Sequence, residues 1–232
     1  NLKLKKTRSI GVIAEDMTIF SIPDIIDGIT EQCEQVDYQI LLINLRLYKK
    51  YNDTYYSKDD YYEVVRREIK KLMQKQVEGI ISQQPDVESY FTMAGSSGLT
   101  IPAVMAYGYS RTPKVPSIVV DDCHGAYEIT KYLIENGHTR IGVIMGKADS
   151  IHAQSRLVGY QEALFDNGIL YSPGFVTEGD WNRESGYEGI TKLLAKNITA
   201  VFCMNDLMAG GVYDRLAELG MTVGEDLSVV GY

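Results

Sequence analysis

The chain has 232 residues, 45% hydrophobic and 23% charged, with a formal net charge of -8. That is an ordinary globular composition, long enough for two domains of roughly 100 to 150 residues each, and its negative balance argues against this segment binding nucleic acid along a broad face. No stretch approaches the roughly 18 apolar residues of a membrane span, and the first residues do not read as a secretory signal, although a removed one leaves no trace.

Short β-branched runs alternate with helical patterns along the chain, the rhythm of a parallel sheet with crossover helices. After a basic lead-in with Lys3, Lys5 and Lys6, residues 8–14 form the first predicted strand. Residues 23–36 place Ile25, Ile26, Ile29, Cys33 and Val36 at helical spacing, with Pro23 suited to a first turn. A strand follows at 39–45, then an insertion at 48–62 that holds six tyrosines, and a helix at 60–76 carrying Val64, Val65, Ile69, Leu72 and Met73 on one side. Strands are predicted again at 79–81, 103–105 and 117–120.

The cycle then restarts, with Asp122 a plausible cap for a helix at 123–136 that ends at Gly137. A strand at 141–145 and a helix at 153–167 ending at Gly168 follow, then a strand at 175–177. Asn182 is expected to cap a helix reaching Ala195, and Asp206 to cap one running to Leu219 after a strand at 200–203. A last strand occupies 227–230. Two such series meeting near Val120 predict an α/β fold with two Rossmann-like lobes of parallel sheet and flanking helices. Cys33, Cys123 and Cys203 are odd in number and sit in apolar patterns, which reads as free buried thiols in a reducing compartment.

In such sheets ligands bind beyond the carboxyl ends of the strands, where loops and helix N-termini converge. That rule selects the segments 15–22, 47–60, 107–111, Asp121 with Asp122, 146–156, 179–183, and Asn205 with Asp206. None carries a phosphate-loop, dinucleotide or nucleophile-elbow motif, and His124, His138 and His152 are not spaced as a metal site, so no enzyme activity, metal or cofactor is expected. The loops do offer Phe20, Arg156, Trp181 and Asn205. An aromatic ring covers the apolar face of a sugar while Arg and Asn take its hydroxyls, the mixture that binds a polyol.

The order of several blocks carries a family resemblance. The opening Thr7-Arg8-Ser9-Ile10-Gly11-Val12-Ile13 with Asp16, then Val119-Val120-Asp121-Asp122, Leu133 to Ile141-Gly142 through Gly137-His138, Arg156-Leu157-Val158-Gly159-Tyr160, Gly179-Asp180-Trp181 with Ser185-Gly186-Tyr187, Phe202 to Ala209 through Asn205-Asp206, and Leu227 to Tyr232 stand in family order and spacing. Together they resemble the effector-binding core of lactose-repressor and galactose-repressor transcriptional regulators. The resemblance implies a bilobed core of the type I periplasmic-binding-protein kind, with an N-terminal lobe at 8–120 and a C-terminal lobe at 121–232. It further implies a small effector, commonly a sugar, in the cleft, and a homodimer in the cytoplasm that reads operator DNA through a helix-turn-helix headpiece. Residues 1–7 then read as the linker from a headpiece not in this chain, and a C-terminal return segment is expected beyond Tyr232.

By the same resemblance Arg156 reaches into the cleft, Trp181 lies against the ligand, and Ser150, His152, Asp121 and Asn205 line it. The aromatic pair after the first strand is shifted here, with Phe20 one place early and Ser21 and Ile22 where aromatics are usual. Each residue also has a structural reading: Trp181 as a staple ahead of Asn182, Asp121 as a hinge residue, Arg156 or His152 as a solvated polar group. Two other classes remain open, an exported sugar-binding protein of a transporter and a doubly wound enzyme. The insertion at 48–62 is expected beside the cleft mouth, either as a solvated loop or with Tyr51, Tyr55 and Tyr56 extending the site.

Overall fold

The first strand, β1 (Ser9–Ala14), is buried along its last four residues, so its sequence is continuously apolar, as a parallel strand covered on both faces requires. The computed structural model describes residues 6–19, 21–51, 59–83, 101–110 and 115–232. Side chains alternate along a strand. Val12 and Ala14 therefore pack on one side with Ile22 and Ile26 of α1 (Ile22–Gln35), while Ile13 packs on the other with Leu45, Leu47, Val65, Ile69 and Leu72. The latter residues bring in α2 (Leu47–Tyr51) and α3 (Asp59–Gln74). With β2 (Gln39–Asn44), β3 (Gly79–Ser82), β4 (Ala103–Ala106) and β5 (Ser117–Ile118), β1 forms a parallel sheet in the order β2-β1-β3-β4-β5.

Beyond β1, the buried carboxylate of Asp16 shapes the turn. Its Oδ1 accepts from the Thr18 amide at 3.0 Å and hydroxyl at 2.7 Å, and its Oδ2 from the Lys49 amide at 3.2 Å. Burial pushes this carboxyl up, but the bonds from Thr18 and Lys49 outweigh it and hold its pKa below the ordinary value.

The second unit, Asp121–Tyr232, is separate from Asn1–Val120 in its packing. Its sheet runs β7-β6-β8-β9, all parallel, from β6 (Ile141–Met145), β7 (Val176–Glu178), β8 (Ala200–Cys203) and β9 (Ser228–Val230). Every residue of β6 and β8 is buried. The covering helices are α4 (Asp122–Glu135), α5 (Ile151–Asp166), α6 (Arg183–Leu194) and α7 (Asp206–Glu218). Helices α4 and α5 pack closely because Gly159 has no side chain: a Cβ there would lie 2.0 Å from the Cys123 carbonyl oxygen. Among the described residues no helix is long and apolar enough to cross a membrane.

Several sequence expectations need correction. Gly137 and Gly168 take the left-handed conformation just past α4 and α5, as expected, and Asn182 does cap α6, accepting from the Ser185 amide at 2.8 Å. Asp122 and Asp206, however, are not caps. Asp121 caps α4, accepting from the His124 amide at 3.1 Å, and Asn205 caps α7, accepting from Met208 at 2.8 Å. In each pair the first residue has the non-helical backbone a cap needs and the second is already helical. Cys123 is only partly buried, unlike Cys33 and Cys203. The start of the tyrosine-rich insertion is helical, in α2, and its end opens α3; Tyr55 and Tyr56 lie outside the described residues, as does Phe20, and Tyr51 ends α2.

Candidate functional site

In the second unit, the chain leaves the carboxyl ends of β6, β8 and β9 at Gly146, Met204 and Gly231, and α4, α5 and α7 begin at the same edge. The caps of those helices are Asp121, Ser150 and Asn205. Arg156 lies in the second turn of α5 and points into this edge, its side chain 7% exposed.

The guanidinium is held from several directions. Nε donates to Asp122 Oδ1 at 2.8 Å, Nη2 approaches the same oxygen at 2.7 Å, and Nη1 donates to the Met204 carbonyl. One turn earlier on α5, His152 Nδ1 lies 2.6 Å from Asp122 Oδ2. Asp122 is thus shared by two α5 side chains four residues apart on one helical face. Burial pushes its carboxyl up, but the hydrogen bonds from His152 and Arg156 and their charges prevail and hold it below the ordinary carboxylate value.

Two aromatic rings complete the arrangement. The Tyr232 ring centroid is 3.5 Å from Arg156 Cζ and that of Trp181 is 5.7 Å away, both within cation–π range. Tyr232 rests on Phe202 of the core, centroids 6.4 Å apart, and burial together with the neighbouring Asp122 pushes its hydroxyl pKa up to about 12. Trp181 has a positive φ of 59°, rare for a bulky residue. Its ring covers Gly146 so closely that a Cβ there would meet Cζ2 at 1.9 Å. Its carbonyl accepts from Asn205 Nδ2 at 2.8 Å. Asn205 therefore uses its oxygen to cap α7 and its amide to fix Trp181.

Of the sequence-predicted site residues, the fold brings Arg156, His152, Trp181 and Asn205 into one constellation. Ser150 caps α5, accepting from the Ala153 amide at 3.5 Å, and Asp121 caps α4. Ser21 stands at the start of α1 in the other unit, with no side-chain cap bond. Arg156 is not the solvated helix charge of its structural reading, and His152 is a helix residue bonded to a carboxylate rather than a loop histidine. Sequence reasoning missed Asp122 and Tyr232. Asp122 was obscured by Asp121 beside it, since either could cap; Tyr232 carried no signal beyond closing a strand block. Next to the constellation, Lys147, Ala148, Asp149, Glu178, Gly179, Asp180, Ser185 and Glu188 line an open groove of about 650 Å³, with Lys147 paired to Asp180 at 3.0 Å.

Residues 7–232 match the family of periplasmic binding proteins and the sugar binding domain of the LacI family. The chain belongs to this family. It is an effector-binding core of the LacI/GalR type. The core is 33% identical over its whole length to the HTH-type transcriptional repressor PurR of Haemophilus influenzae strain PittEE, and spans 66% of that relative. Among solved structures it is 26% identical to the Lac repressor bound to ONPG, with a TM-score of 0.78 over 99% of the core and 66% of that chain. The transcriptional regulator CelR in complex with cellobiose is also 26% identical, with a TM-score of 0.77 over 98% of the core and 68% of that chain.

Proposed function

We propose that the core senses a small effector for a cytoplasmic, dimeric transcriptional regulator, with the effector seated against Arg156 and Trp181. The observation that carries this reading is the pairing of a buried guanidinium with an aromatic ring at the carboxyl ends of the strands, the edge where α/β sheets take ligands. Of the five guanidinium N–H groups, three are committed to Asp122 and Met204 among the described residues. The other two are left for adjacent acceptor atoms of a ligand, and the indole gives its face to an apolar ring surface. Asp121, Ser150, His152 and Asn205 border that position, and Phe20 and Ser21 keep the roles the resemblance implies.

A saccharide suits this pairing, and the cellobiose and ONPG complexes of related regulators support it. The PurR relatives argue for testing purines equally, since a planar heterocycle also stacks on an indole and offers paired acceptors. Operator DNA is read by a headpiece outside this chain, joined through residues 1–7. The effector then acts by binding the operator-competent and operator-released forms unequally, which is the only way a ligand shifts their balance.

Trp181 is the single tryptophan and lies in the candidate site, so its fluorescence tests the reading directly. Titration of the whole regulator with saccharides and purine bases should give a saturable change with one class. No saturable change with any of them, in a folded protein, rejects effector binding at this constellation.

A further inference from the structure

Arg156 is the one buried cation among the described residues, and its charge is already met within the unit. Asp122, whose side chain is 0% exposed, receives both Nε and Nη2 on one oxygen and offers the other to His152. The Met204 carbonyl is a neutral acceptor, and the Tyr232 and Trp181 rings attract the guanidinium without adding net charge. Further negative charge stands nearby. Asp121 caps α4 and Asp206 opens α7, so the positive ends of two of the helices that begin here already face carboxylates. A phosphate or carboxylate placed at the two remaining N–H groups would sit beside Asp122 and gain no net ion pair. An uncharged hydroxyl, carbonyl or ring nitrogen would take the same bonds at no such cost.

We infer that Asp122 sets the charge class of the effector: the site accepts an uncharged ligand with adjacent hydrogen-bond acceptors and rejects the anionic counterpart of the same ligand. The inference rests on the effector-binding reading above and names what that site selects. Asp122 acts through Arg156, as a positioning and specificity-determining residue. Because the Trp181 ring lies 5.7 Å from the guanidinium, the charge balance can be read without knowing the effector.

The test compares quenching of Trp181 fluorescence by iodide, an anion, and by acrylamide, which is neutral. In D122N the uncompensated guanidinium should raise the iodide quenching constant at least twofold relative to the acrylamide constant, in a manner suppressed by added salt. The double variant D122N/R156Q should return the ratio to the wild-type value. A ratio equal in wild type and D122N overturns the inference.

A second arm needs no variant and covers the case in which D122N fails to fold. Wild-type protein is titrated with glucose and glucuronate, galactose and galacturonate, and adenosine and adenosine 5′-monophosphate. The uncharged member of a binding pair should bind at least tenfold more tightly, and equal or tighter binding of the anion overturns the inference. If iodide behaves as expected while no titrant of either charge moves the fluorescence, the effector-binding reading fails and the charge compensation stands.

Discussion

Asp122 and Arg156, 34 residues apart in sequence, form a buried ion pair whose shared oxygen takes both Nε and Nη2 of the guanidinium. The pair joins the first turn of α4 to the second turn of α5, so the same bond that aims a candidate ligand donor also ties two helices together. Binding and stability are therefore coupled at this position.

Replacing Arg156 by Ala should lower the stability of the second unit by about 3–5 kcal/mol, because it strands the Asp122 carboxylate in a buried place with only His152 for company. Denaturant unfolding of the variant checks this, and effector response should vanish in the fraction that remains folded. An unchanged midpoint would mean that water or a neighbour replaces the guanidinium.

Gly146→Ala should displace the indole of Trp181, since the new methyl would lie 1.9 Å from Cζ2. The strand end itself can stay. We expect a shifted emission maximum and at least a tenfold loss of effector affinity, with little change in circular dichroism. A wild-type emission spectrum would show that the ring is held elsewhere.

Asn205→Asp separates the two tasks of that side chain. A carboxylate still caps α7, so stability should stay within about 0.5 kcal/mol, the spread among good caps. It has no N–H to give the Trp181 carbonyl, whose positive-φ backbone then loses its tether. Fluorescence anisotropy of Trp181 should fall; an unaltered value would assign the conformation to ring packing alone.

Stability should fall at both ends of the pH scale, for opposite reasons. Asp122 has a folded pKa depressed below 3.8, so its contribution is present above about pH 4 and is lost as pH falls through the lowered value. Cys203 is raised from 9.0 to about 12 by burial first and Asp206 second, and Tyr232 from 10.0 to about 12. For these the neutral form is the one the fold favours. Their contribution is complete below pH 9 and erodes as pH rises towards 12. Unfolding midpoints across pH 8 to 12 should decline, and Cys203→Ala should remove the earliest part of the decline. A flat profile in wild type would mean that neither group is as enclosed as the fold makes it.

Much of the fold was legible because its signals are local. Gly137, Gly168 and Asn182 end or begin helices through the conformation of one or two residues, and the sequence displays those residues openly. The continuous apolar runs of β6 and β8 likewise declare strands covered on both faces. The site was legible only in part. Adjacent polar residues such as Asp121 and Asp122, or Asn205 and Asp206, can each cap a helix, and only the backbone angles decide between them. The partnership of Asp122 with Arg156, and the seating of Tyr232 on the guanidinium, arise from packing α4, α5 and β9 together. No spacing rule announces such a meeting. Helix α2 is a single turn and shorter than any periodicity can reveal.

The four side chains or carbonyls that meet Arg156 come from four different βα units of the second half: Asp122 from the start of α4, Trp181 from the loop after β7, Met204 from the end of β8, and Tyr232 from the end of β9. None of them can find the guanidinium until the strand order β7-β6-β8-β9 is in place, with long loops closed at an entropic cost before any contact repays it. A ligand bound here would therefore recognise the finished unit and no partly assembled form of it. By mass action it would drain the unfolded pool in proportion to its concentration. In a cell that degrades unfolded chains, the abundance of the sensor would then rise with the molecule it senses, a response set by folding alone and separate from any change at the operator.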